Sequence, residues 1–262
     1  MKLPGGIPLR IQPGFFLVTL LLGLGRPTLF PMASWLIVCL VSVIVHECGH
    51  AYVALAFGYR PSVLLWGGGG LTSFARPGER VPARTDVVVS LAGPMAGFAF
   101  GGLAILAAHL WPAMDPHTAL VYDDLQWVNL GWGAVNLLPI IPLDGSHLAL
   151  RALERLHPAG AVRDLLIFSV ALCALGGAAA LFWMHWTLGG LYALWLASPA
   201  LRALTERREP RRVVVAATSS ATPNPTATAN PTPTATRTAT LTPTANPLPV
   251  DIVTGKPPTQ TR

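Results

Sequence analysis

SVIVHECGHAYVALAFG, residues 42–58, sets His46, Glu47 and His50 inside a run that otherwise prefers to leave water. On a helix, positions i and i+4 share one face, so both imidazoles reach one point while Glu47 stands beside them. HExxH on a helix is a zinc-hydrolase arrangement: two histidines hold the metal and the glutamate is placed to take a proton from water. The bland alternative is a pair of helix histidines bonded to neighbouring carbonyls, with an acid kept neutral by burial. A carboxylate at the centre of a bilayer costs at least ~2.5 kcal/mol, which argues against three such groups gathered without function.

The surroundings are those of a membrane protein. Of 262 residues, 52% are hydrophobic and 11% charged, and the mean hydropathy is positive. A soluble domain of this size carries more charge on its exterior. Runs long enough to cross a bilayer core of roughly 30 Å are predicted near residues 14–30, 32–57, 86–111, 125–141, 165–185 and 187–204. The first is short, so five spans is the alternative to six. The opening residues pass from charge into apolar sequence without a small-residue cleavage site, which reads as retained membrane protein.

Basic residues orient the spans. With the N-terminus in the cytoplasm, Lys2, Arg10, Arg60, Arg76, Arg80, Arg84, Arg151, Arg155 and Arg163 all fall inside, as do Arg202 and the arginines that follow it. Only Arg26 falls outside. Both termini are therefore expected in the cytoplasm, in a bacterial or archaeal cell membrane. The net charge of +6 does not indicate nucleic acid, because the arginines lie between apolar runs instead of clustering with aromatics; the lipid bilayer is the anionic partner. Cys39, Cys48 and Cys173 show no CxxC spacing and read as small buried hydrophobes.

WGGGGLTSF, residues 66–74, is predicted as a short extended piece, since four successive glycines suit strand bends and not helices; a flexible loop is the alternative. From residue 213 onward, threonine, proline, alanine and asparagine replace apolar bulk, and the segment is expected to be disordered. The expected architecture is an all-α membrane protein of about six transmembrane helices. It has a small glycine-rich β or re-entrant element after the second helix. Residues 1–212 form the membrane domain and 213–262 a disordered tail.

A hydrolytic zinc site needs a third protein ligand and an open position. NLLPIIPLDGSH, residues 136–147, offers Asp144 at the end of the fourth predicted span. At 1.5 Å per residue, His46 lies ~21 Å and Asp144 ~28 Å from the outer ends of spans that run in the same direction, so the two motifs meet at similar depth. Pro139 and Pro142 break the helix before the aspartate, and non-helical backbone at that depth survives inside protein or beside a water-filled cavity. Asn136 supplies an amide suited to a substrate peptide or a developing oxyanion, or simply to helix packing.

HECGH followed by NLLPIIPLDG resembles the site-2 protease family of intramembrane zinc metalloproteases, whose paired signatures are HExxH and NxxPxxPLDG. GIPLRIQPGFFLV, WGGGGL and SLAGPMAG are similar to the compact members related to the sporulation factor IVB protease. The resemblance covers about residues 5–200. It implies one Zn2+ per chain held by His46, His50 and Asp144, with Glu47 as general base and Asn136 on the substrate backbone. It also implies that Gly68, Gly69 and Gly70 lie near a strand edge that receives the unwound helix of a membrane-protein substrate. The expected reaction is hydrolysis of a peptide bond in or near a transmembrane segment. Gly97 and Ser146 depart from the residues common in the family, and nothing resembles its PDZ or CBS regulatory domains. The rival readings are a zinc-binding transporter or sensor and an inactive scaffold.

His147 is read either as a partner of Asp144 or as an interface histidine. His109, His117, His157 and His185 fall near span ends. Trp111, Trp127, Trp183 and Trp186 suggest an aromatic belt, and Asp123 and Asp124 a solvated loop, although a helix start at Leu125 would also favour them.

Overall fold

The computed structural model describes residues 1–26, 28–76, 79–182 and 187–205. The tail at 213–262, together with Trp183, His185 and Trp186, lies outside the described residues.

The chain enters through β1 (Leu9–Ile11) and α1 (Pro13–Leu22), then crosses in α2 (Leu29–Ala56). A hairpin of β2 (Ser62–Trp66) and β3 (Gly69–Ser73) leads into α3 (Ala83–Leu110). After α4 (Pro116–Gln126), a π turn (Trp127–Gly131) and α5 (Trp132–Asn136), the chain breaks and restarts as α6 (Asp144–Leu156). It closes with α7 (Ala161–Phe182), α8 (Thr187–Leu196) and α9 (Ser198–Thr205).

Among the described residues, α2, α3 and α7 are long and apolar enough to cross a membrane. Their outward faces are apolar too: Ile37, Leu103 and Leu175 are 62%, 61% and 69% exposed, as expected of side chains solvated by lipid. Helix α1 is shorter than expected. Its 10 residues reach about 15 Å, half the hydrocarbon thickness, because the helix stops at Gly23.

The fourth predicted span also begins earlier than its apolar run. Asp115 caps α4, its Oδ1 accepting from the backbone N–H of His117 at 2.9 Å and of Thr118 at 3.0 Å, with Pro116 in the first turn. Right-handed helical angles continue through Gln126, Trp127, Gly131 and Trp132, so α4, the π turn and α5 make one rod of about 32 Å. Asp123 and Asp124 are therefore helical and not in a loop. Asp124 is 5% exposed and takes a bidentate pair from Arg26 at 2.6 and 2.9 Å.

The sheet has the order β1-β2-β3, with β1 parallel and β3 antiparallel to the central β2. Trp66 pairs with Gly69, leaving Gly67 and Gly68 as the turn, and Gly69 has φ 112°, a left-handed value that favours glycine. Leu9, Val63 and Leu65 pack on Ile7, Phe15 and Ala51 in a core that fixes the sheet against α2. Small residues bring α2 and α3 together: a Cβ on Gly49 would overlap the Ala92 carbonyl, and one on Gly93 would overlap the His50 ring.

Candidate metal centre

Helix geometry sets His46 and His50 one turn apart, with ring centroids 4.9 Å apart and Nε2 atoms 3.1 Å apart. The His50 Nδ1 lies 2.6 Å from the carbonyl oxygen of Val89 on α3. A carbonyl only accepts, so Nδ1 carries a proton, and in the neutral ring this leaves the lone pair at Nε2. That lone pair faces His46 Nε2 and the Asp144 carboxylate.

Asp144 arrives from the other motif. The backbone leaves the helix after Asn136 and re-forms one at Asp144, which stands in the first turn of α6. Its Oδ2 is 3.0 Å from His46 Nε2 and its Oδ1 is 3.2 Å from His50 Nε2. Ligands ~2.0–2.1 Å from a tetrahedral zinc sit about 3.3 Å from one another, so this donor set fits the ion. The chemistry fits as well: lone pairs that converge on one point want a cation between them.

Glu47 is 4% exposed and its carboxylate turns toward β3. The Thr72 hydroxyl is 2.5 Å from Glu47 Oε2. The ligand atoms of His46, Glu47 and His50 all lie within 4.8 Å of one another. Because Asp144 is the nearer to both imidazoles and Thr72 engages Glu47, the aspartate is the better third ligand and the glutamate stands beside the centre.

His46, Glu47, Asp144, Asn136 and Gly68, Gly69 and Gly70 all line one open cleft, and His50 is buried. Trp66 and Trp132 form its apolar walls. Three neighbours carry no motif signal. Thr72 comes from the hairpin. Asn129 sits in the π turn and donates to Ser42 Oγ and the Leu125 carbonyl, both at 2.8 Å. Asp86, buried on α3, accepts from Arg151 Nε at 2.7 Å and lies 3.4 Å from His147 Nδ1. His147 thus pairs with Asp86 and not with Asp144, because on α6 it projects toward α3 while Asp144 faces α2. Ser146 donates to the Leu143 carbonyl at 2.6 Å and closes the first turn of α6, and Gly97 leaves space beside Asn129 and His46.

No family model matches the chain. It is 31% identical over 152 residues to a zinc metalloprotease of Methanocaldococcus jannaschii, covering 56% of this chain and 43% of that protein. It is 34% identical over 181 residues to the putative zinc metalloprotease Rip3 of Mycobacterium tuberculosis, covering 63% and 42%. With stage IV sporulation protein FB of Bacillus subtilis it shares 32% over 149 residues, covering 56% and 50%. The chain thus spans half or less of the length of these curated relatives. In three dimensions it matches the site-2 protease from Methanocaldococcus jannaschii with a TM-score of 0.58 at 24% identity, over 76% of this chain and 92% of that one.

Proposed function

We propose that this chain, which has the site-2 protease fold and sequence kinship to zinc metalloproteases, is itself an intramembrane zinc metalloprotease. Its substrate would be a peptide bond in or near a transmembrane segment of another membrane protein. The observation that carries this reading is the convergence of His46, His50 and Asp144 on one point, beside Glu47, in a cleft walled by the hairpin and α5.

His46, His50 and Asp144 would hold the zinc, which when bound would polarise a substrate carbonyl and lower the pKa of a water toward ~7. The chain's own residues do the rest. Glu47 accepts the water's proton and returns it to the leaving amide nitrogen. Asn136 lines the same cleft and offers its amide to the substrate backbone. Among the described residues β3 pairs with β2 alone, so its free edge can receive an unwound segment by strand addition, with Gly68, Gly69 and Gly70 admitting close backbone approach. Unwinding is needed because a helix shields its own carbonyls. The cleft gives water, the second substrate, a place at bilayer depth.

The topology that goes with this reading has about six crossings, residues 1–212 as the membrane domain and both termini in the cytoplasm of a bacterial or archaeal cell. The arginine distribution supports it, and so does the lone outer arginine, Arg26, whose charge is met by Asp124.

The test is cleavage of a panel of single-span reporter proteins, each an apolar helix with one Gly-Pro break. They are reconstituted with the purified chain in vesicles of phosphatidylethanolamine and phosphatidylglycerol. Wild type cuts within the apolar segment and Glu47→Gln does not; equal cleavage by both overturns the assignment.

A further inference from the structure

Glu47 shares a helix with two ligands, yet the helix fixes only its Cα, and three side-chain torsions remain to be set before a carboxylate oxygen can face a reacting water. Strand β3 sets them. Gly70 and Thr72 are two apart on the strand and present the same face to α2. A Cβ on Gly70 would overlap Cγ, Cδ and Oε1 of Glu47, so the side chain lies flat across the bare glycine backbone. Two residues on, Thr72 Oγ1 stands 2.5 Å from Glu47 Oε2 and 3.3 Å from the Glu47 backbone carbonyl.

A hydroxyl has one proton to give, and the short distance to the carboxylate assigns it there as a charge-assisted bond. We propose that Thr72 is a positioning residue that orients Glu47 as the base. It occupies Oε2, which leaves Oε1 to take the proton; this rests on the reading of Glu47 given above. When a water O–H bond breaks and its proton moves to Oε1, the Thr72 bond at Oε2 is left intact, so the orientation survives the step and the same oxygen can pass the proton to the amide nitrogen. The base is also held by the strand whose free edge would receive substrate. A segment laid along β3 therefore meets Oε1 at a fixed place, and this couples docking to proton transfer.

Three variants test this in the zinc-loaded chain: Thr72→Val, which keeps the shape and removes the hydroxyl, Thr72→Ala, a smaller hydroxyl-free form should valine fail to fold, and Thr72→Ser, which restores the hydroxyl. Infrared difference spectra against Glu47→Gln assign the Glu47 carboxyl band. That band should move in Thr72→Val and Thr72→Ala and return in Thr72→Ser, with the zinc ratio unchanged. On a reporter that wild type cuts, the hydroxyl-free variants should lower kcat about ten-fold at unchanged KM, and serine should recover it. An unmoved Glu47 band, a loss confined to KM, or a serine variant as impaired as valine overturns the proposal. Undiminished cleavage by Glu47→Gln would instead remove the base reading, while the infrared comparison would still report the Thr72 bond.

Discussion

Asp124 and Asp144 are both acids drawn out of water by a helical membrane protein, and burial alone would select the wrong one as functional. The Asp124 side chain is 6% exposed and that of Asp144 21%. Asp124 receives two donors from Arg26, whose guanidinium also lies 4.5 Å from the Trp35 ring centroid, so its lone pairs are answered within the fold. Asp144 faces two imidazole nitrogens, one on a ring whose other nitrogen is held by the Val89 carbonyl, beside an open cleft. The first is a clip between the α1–α2 connection and α4. The second is a set of donors that a cation would complete under the proposed function. A site is marked by acceptors that converge beside a cavity, and not by a buried charge as such.

The contrast can be broken in several places. The largest expected effect is on chemistry: Glu47→Gln should lower the cleavage rate by about 10²–10⁴-fold or more while zinc content stays at wild-type level. Removing one partner of the clip comes next. Asp124→Ala leaves Arg26 unpaired, and since Arg26 is partly exposed the midpoint of denaturant unfolding in detergent should fall by the equivalent of about 1–3 kcal/mol. Replacing both partners, Arg26→Met with Asp124→Leu, should recover most of that loss, which a catalytic pair would not allow.

The clamp on α6 is subtler. Arg151 ties Asp86 at 2.7 Å and Glu154 at 3.0 Å, and Asp86 also meets His147, three residues beyond Asp144. Arg151→Met should loosen the start of α6 and weaken zinc affinity about ten-fold in a competition titration. The smallest effect belongs to the cap of α4. The Thr118 hydroxyl and backbone N–H, with that of His117, hold the Asp115 carboxyl below its usual range. A folded-state pKa that is depressed contributes stability above the unfolded value near ~3.9 and loses it as pH falls through the folded one. Asp115→Ala should therefore lower the thermal midpoint slightly at neutral pH, and the gap from wild type should close below about pH 4.

What the sequence disclosed was whatever is written locally. HECGH and the PLDG aspartate are each short motifs, and helix rise sets His46 and Asp144 at similar depth, ~21 and ~28 Å from the outer ends of their spans. That estimate takes the span of Asp144 from Leu125 as one helix, whereas α4 begins at Pro116 and the helix breaks after Asn136. The start of α4 was readable as well, since Asp115-Pro116 is an N-cap followed by proline at the first turn, although hydropathy alone places the start at the apolar run after it. Thr72, Asn129 and Asp86 were not readable, because each owes its place to a partner on another element: Glu47 across from the hairpin, Ser42 across from the π turn, Arg151 across from α3. The end of α1 was readable too, since Gly23, Gly25, Arg26 and Pro27 follow its apolar run.

The most direct test of the contrast is the zinc-to-protein ratio of purified wild type, Asp144→Ala and Asp124→Ala, measured side by side by elemental analysis in detergent. Near one zinc per chain in wild type and in folded Asp124→Ala, with loss in Asp144→Ala, is the predicted result. Full zinc in Asp144→Ala, or equal loss in both variants, would contradict it.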